Sequence, residues 1–89
     1  MKKVDIWGAG SKGIAFLTSL DAGDTVKYAV DVNPYKQGRF MPGAGQEIVA
    51  PAFLKDYAPD LVVVMNSIYV DEIRSDLAKL GLEPELLVV

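Results

Sequence analysis

The chain has 89 residues, with 9 Lys and Arg against 12 Asp and Glu, a formal charge of −3, and neither Cys nor His. Without those two residue types there is no disulfide framework, no thiolate or imidazole zinc site, no thiol nucleophile and no imidazole base, and the negative balance argues against a nucleic-acid partner. One domain fits this length, no apolar run approaches a bilayer span, and the N-terminus (Met1-Lys2-Lys3-Val4-Asp5) carries no signal-peptide apolar region, so a single cytoplasmic globular domain with no membrane partner is expected.

Val4 to Trp7 reads as a short strand that ends at Gly8. From about Ser11 to Ala22 the apolar residues Ile14, Leu17 and Leu20 follow a helical spacing, with Phe16 flanking them and Gly23 placed as the stop. Thr25 to Asp31 is rich in β-formers and predicts a second strand. Glu47 to Val49 predicts a short third strand, and Pro51 suits the first turn of a short helix reaching about Tyr57. Asp60 to Met65 contains a continuous apolar run between Pro59 and Asn66, the pattern of a strand buried on both faces of a parallel sheet. Ile73, Leu77 and Leu80 mark the apolar stripe of a second long helix that stops at Gly81, and Leu86 to Val89 forms a last strand. This alternation predicts an α/β fold: a small three-layer, Rossmann-like, doubly wound parallel sheet of about five strands, ordered 3-2-1-4-5.

Residues 32 to 46 break the alternation. They hold three of the eight glycines and two of the five prolines and show no periodicity. A connection this long in a compact domain is often functional, and this one carries Lys36 and Arg39, no acid, and the aromatic residues Tyr35 and Phe40. A solvated connection is the plainer alternative.

Gly8-Ala9-Gly10-Ser11-Lys12-Gly13 stands between the first strand and the first helix, the context a phosphate-binding turn requires. The first glycine permits the tight turn, the second lets an anion approach the backbone, and the third lets helix pack close on strand. The N-terminus of the helix directs free N–H groups to the same place, beside the Ser11 hydroxyl and the Lys12 ammonium. Asp31 ends the second strand, where a dinucleotide site places the carboxylate that binds ribose; it reads equally as a turn aspartate before Asn33-Pro34. With the predicted strand order, Asn66 to Tyr69 faces the glycine turn across one crevice. Asn66 offers an amide and Tyr69 a phenol to a polar ligand, although an N-cap and a half-buried contact account for them as well. Trp7 reads as core, and Glu72, Arg74 and Asp76 as a solvated helix face. No two carboxylates are tied by spacing as an acid–base pair, so no catalytic residue and no metal ligand is expected.

The runs WGAGSKG (Trp7 to Gly13), VDVNPYKQGRFMPGAG (Val30 to Gly45) and VVVMNSIYVDEI (Val62 to Ile73) resemble the C-terminal Rossmann-like domain of S-adenosylmethionine-dependent sugar C-methyltransferases, over nearly the whole chain from Val4 to about Leu82. Two places depart from the family pattern: Ala50-Pro51 stands for Ser-Pro, and Asn66-Ser67 for Asn-Pro. The resemblance implies a parent enzyme of three parts, a zinc-binding Cys-rich region, a domain that binds S-adenosylmethionine, and this unit, with a dTDP-type deoxysugar nucleotide in the cleft between the last two. It implies that residues 1–89 are the excised C-terminal domain, inactive alone, with S-adenosylmethionine and zinc held by the other domains and no cofactor bound here. On chemistry, Ser11, Lys12, Lys36 and Arg39 are expected to face the diphosphate at the turn made by Gly8, Gly10 and Gly13, with Asp31 beside the crevice and Asn66 and Tyr69 toward the sugar or the domain interface. The rival readings are an NAD(P)-binding module of an oxidoreductase or regulator, a structural or interaction domain exposing Phe40, Met41 and Tyr69, and the nucleotide-sugar-binding domain that precedes some sugar acetyltransferases.

Overall fold

The computed structural model describes residues 2–19 and 25–89. Its strands are β1 (Val4–Trp7), β2 (Val26–Val30), β3 (Glu47–Val49), β4 (Leu61–Val64) and β5 (Glu85–Val88). The helices are α1 (Ser11–Ser19), α2 (Leu54–Tyr57), which continues a 3-10 turn at Pro51–Phe53, and α3 (Val70–Lys79), which follows a 3-10 turn at Ser67–Tyr69. The predicted end of the first helix, Leu20 to Ala22 with Gly23 as its stop, lies outside the described residues.

All five strands pair in parallel, in the order β3-β2-β1-β4-β5. The predicted α/β architecture and strand order are those observed. β1 is central: Trp7 lies between Val30 of β2 and Val64 of β4, and Asp5 between Tyr28 and Val62. Because side chains alternate along a strand, the sheet builds two cores. On one face Ile6, Ala29 and Val63 pack with Leu17 of α1. On the other, Trp7, Val30, Val62 and Val64 pack with Leu54 of α2 and with Ile73 and Leu77 of α3. Among the described residues no helix is long and apolar enough to cross a membrane.

The segment 32–46 is largely exposed, yet it is not a free loop. It folds back antiparallel along β3, with the Gly38 amide donating to the Ile48 carbonyl at 2.8 Å and the Ile48 amide to the Arg39 carbonyl at 2.7 Å. An open strand edge leaves a row of backbone groups in want of partners, and this return supplies them. The fold-back also drives Met41 into the interior, where it is 2% exposed. That corrects the expected surface patch of Phe40, Met41 and Tyr69: Phe40 and Tyr69 are exposed, and Met41 is core.

α1 lies unusually close to β1. A Cβ at Gly13 would collide with the Gly8 carbonyl oxygen and stand 3.2 Å from Ile6 Cδ1. Gly8 itself has φ +125°, a conformation that L side chains rarely adopt, and its amide donates to the Val30 carbonyl at 2.8 Å. Gly13 therefore serves helix-on-strand packing and is buried away from any ligand. Gly13→Ala must push the helix off the strand and is expected to cost about 1–3 kcal/mol, measured by urea denaturation. On the other face, Leu54 is 0% exposed and is the one buried side chain of α2. Leu54→Ala is expected to cost about 2–5 kcal/mol in the same assay.

One residue of β1 escaped the reading of the sequence. Asp5 is 0% exposed, and neither carboxyl oxygen has a hydrogen-bond partner among the described residues. Burial pushes its carboxyl up to about 7. The signal was there to be read: a lone carboxylate inside the apolar run Val4-Asp5-Ile6-Trp7 of a strand assigned to the middle of the sheet.

Candidate functional site

β2 and β3 lie on one side of β1, and β4 and β5 on the other, so the loops that follow β1 and β4 part and leave a crevice at the carboxyl edge of the sheet. The crevice encloses about 290 Å³. Its floor is Trp7, Gly8 and Met65, from the ends of β1 and β4. One wall is Asp31 and Val32, just past β2. The other is Asn66 and Tyr69, followed by Glu72, Ile73 and Asp76 of α3. The lining is largely apolar, with carboxylates and one amide at its border.

Asp31 holds the first wall together. Its Oδ2 accepts the Ala9 amide at 3.1 Å and its Oδ1 accepts the Asn33 amide at 2.9 Å. The carboxylate thus joins the glycine turn to the loop after β2. The turn reading of Asp31 is the one observed, and the residue also borders the crevice. Gln37 supports it from behind, donating through Nε2 to the Asp31 carbonyl at 2.8 Å.

Asn66 is the N-cap of the Ser67–Tyr69 turn: its side-chain oxygen accepts the Ile68 amide at 3.2 Å. The cap occupies the oxygen and leaves the amide N–H₂ group for a ligand. Tyr69 is 50% exposed at the mouth of the crevice.

At the glycine turn, α1 begins with the Ile14 amide donating to the Gly10 carbonyl at 3.0 Å, and no acidic residue occupies its first turn. Lys36 comes close to Gly10 of this turn. Its Nζ stands 4.0 Å from the point that a Cβ on Gly10 would occupy. The other predicted cations lie elsewhere. The Lys12 Nζ donates to the Val89 carbonyl at 3.3 Å, beyond β5. Arg39 is exposed on the segment that flanks β3, and Ser11 is exposed at the start of α1.

Of the ten residues singled out in the sequence, Gly8, Asp31, Asn66 and Tyr69 line the crevice, with Gly10 and Lys36 at the turn beside it. Ser11, Lys12, Gly13 and Arg39 do not line it. Glu72 and Asp76 were read as a solvated face, yet both border the crevice. Their four-residue spacing on the helix after the fourth strand was the available signal, since it puts both on one helix face. Among the described residues no group of three or more His, Cys, Asp or Glu side chains comes together as a metal site. The arrangement can hold an anion at the turn and a partly apolar, hydrogen-bonding group in the crevice. It presents no nucleophile paired with a base.

Solved structures share this fold. A Rex-family repressor, RSP, matches all of the chain at 16% identity with a TM-score of 0.71, and the chain spans 53% of the repressor chain. The same repressor in complex with β-NADH gives a TM-score of 0.70 at 16% identity, with the chain again spanning 53% of it. UDP-D-quinovosamine 4-dehydrogenase from Vibrio fischeri matches 99% of the chain at 26% identity and a TM-score of 0.70, with the chain spanning 77% of it. No curated protein sequence matches the chain at a significant level. Residues 1–84 match the C-methyltransferase C-terminal domain, and the chain belongs to that family.

Proposed function

We propose that residues 1–89 are the C-terminal domain of a longer cytoplasmic, S-adenosylmethionine-dependent enzyme that C-methylates nucleotide-linked deoxysugars of the dTDP type. In this reading the domain holds and orients the sugar nucleotide, and the partner domain that binds S-adenosylmethionine performs the methyl transfer. S-adenosylmethionine and zinc belong to the other domains, and this chain binds no cofactor of its own. The observation that carries the proposal is that the glycine turn borders a partly apolar crevice at Gly8, with the Lys36 ammonium close to Gly10 at the other end of the turn. A diphosphate suits the turn and a nucleoside or sugar the crevice. Family membership supplies the methyltransferase context. The dehydrogenase neighbour is itself named for a UDP-linked sugar.

The contribution to catalysis is positional. Binding energy collected from the nucleotide, remote from the reacting carbon, fixes the sugar for attack and lowers the entropic part of the barrier. The amides at Gly10 and Ser11 and the Lys36 ammonium face the diphosphate, with Lys12 and Arg39 adding longer-range positive charge. The Asn66 amide and the Tyr69 phenol face the sugar or the interface with the partner domain. Asp31 holds the turn and the crevice wall in register through its two amide contacts.

A nicotinamide dinucleotide is the second reading. The Asp31 carboxylate beside the turn favours it, as does the NADH complex of the repressor that shares the fold. A single titration separates the two. With the ¹⁵N-labelled chain, dTDP is expected to shift Gly8 to Gly13 and residues 33–45 more than UDP or NAD does. NAD-selective shifts that include Asp31 would replace the methyltransferase reading with the dinucleotide one, and silence with all three would leave a structural module. Lys36→Ala is expected to weaken dTDP binding about threefold to tenfold, as loss of one solvent-screened, charge-assisted contact does, and Arg39→Ala less. In the full-length enzyme the same changes should appear as a raised KM for the sugar nucleotide with kcat little altered.

A further inference from the structure

Asp5 occupies the middle strand of the sheet with both carboxyl oxygens buried and unpartnered among the described residues. Its neighbours across the strands are Tyr28 on β2 and Val62 on β4. The crossover Pro51–Tyr57 covers this face. Phe53 and Tyr57 pack their rings on Tyr28, with centroids 4.6 and 5.0 Å from it, and Leu54 enters the core between them.

The charged and titratable groups that face this spot offer Asp5 no partner. They are Tyr28 from β2, Tyr57 from α2, Asp60 just ahead of β4, and Lys3 just ahead of β1; α3 buries only Ile73 and Leu77 here. The Lys3 Nζ donates to the Tyr57 carbonyl at 3.1 Å and lies 5.1 Å from the Tyr57 ring. Asp60 accepts the Lys3 amide at 2.7 Å. The Tyr57 hydroxyl is pushed up by burial and then by the negative charge of Asp5, so phenol and carboxyl sense each other.

A carboxylate in such a place must find water or stay protonated. Freeing β1 would break the sheet. Freeing residues 51–57 would release one 3-10 turn and four residues of α-helix, neither with a side-chain cap and anchored by a single buried side chain. Helices this short have no stability of their own. We propose that Asp5 is a proton-dependent latch on this crossover: as the neutral acid it keeps residues 51–57 docked on the sheet, and as the carboxylate it lifts them to reach water.

The docked state binds the Asp5 proton up to about pH 7, whereas the lifted state releases it near 3.8, the ordinary value for an aspartate in water. Docking is therefore strongest below the lower value, weakens as pH rises through the upper one, and levels off above it. Between pH 6 and pH 8 the lifting equilibrium is expected to rise about tenfold.

Hydrogen exchange of the 89-residue chain, corrected for intrinsic rates at pH 6 and pH 8, tests this. The reporters are the amides of Phe53 and Ala58, which donate to Ala50 and Leu54; the references are Gly8 and Met65, which donate to Val30 and Trp7. Protection of the reporters should fall about tenfold at pH 8 while that of the references holds, and Asp5→Asn should abolish the difference. An equal fall at reporters and references would overturn the latch, as would a reporter-specific fall that persists in Asp5→Asn. Should that variant not fold, the carboxyl ¹³C resonance of Asp5 in the unaltered chain is followed together with the Tyr57 ring. A shared midpoint near 7 supports the latch. An Asp5 midpoint near 4, or a Tyr57 ring that does not follow it, rejects it.

Discussion

The approach of α1 to the end of β1 is the constraint on which the rest of the molecule depends. The Gly8 carbonyl occupies the space that a side chain at Gly13 would need, so the helix axis is held against the strand. That contact brings the first turn of α1 to the carboxyl edge of the sheet and turns its free N–H groups toward solvent at one place. Because β1 is also the central strand, whatever fixes α1 on β1 fixes both halves of the sheet around the same point. An additional methyl group at Gly13 would thus disturb packing and the glycine turn together.

From that point the chain winds outward in two directions, β2 and β3 on one side, β4 and β5 on the other. The reversal separates the loops that follow β1 and β4 and leaves a crevice no single element could make. Its electrostatics are divided. Lys36 stands by the glycine turn, while Asp31, Glu72 and Asp76 border the cavity proper. A ligand with an anionic link and a neutral, hydroxyl-bearing end matches this division better than a uniformly anionic one, since hydroxyl groups donate to carboxylates.

The fold also carries a cost on the face that holds Trp7. A buried carboxyl with no hydrogen-bond partner among the described residues lowers stability relative to an apolar residue, and it persists here under a cover of two short helical turns. The same face that closes the crevice with Trp7 thus holds a charge-sensitive spot two residues away along β1. The outer edge is better protected, since residues 38–41 pair with β3 and seat Met41 in the core.

Strand order, parallel pairing and the position of the glycine turn were legible in the sequence because they follow from local pattern and from the handedness of crossovers. Val62 to Met65 could only be a strand buried on both faces, and Gly8, Gly10 and Gly13 could only serve a tight strand-to-helix turn. Asp31 and Asn66 were legible too, since each sits just past the carboxyl end of a strand. The rest depended on contacts distant along the chain. Lys36 reaches Gly10 while Arg39, three residues on, flanks β3, because the fold-back of 38–41 aims neighbouring side chains to different sides. Glu72 and Asp76 gained a place at the crevice only when α3 docked across β4. Asp5 became a buried acid, not a surface one, only when Tyr28, Val62 and the 51–57 crossover closed over it. Sequence patterning determined which elements form and in what order they pair. Tertiary packing decided which side chains share a space and which lose their water, because proximity and desolvation are properties of the assembled layers and not of the local chain.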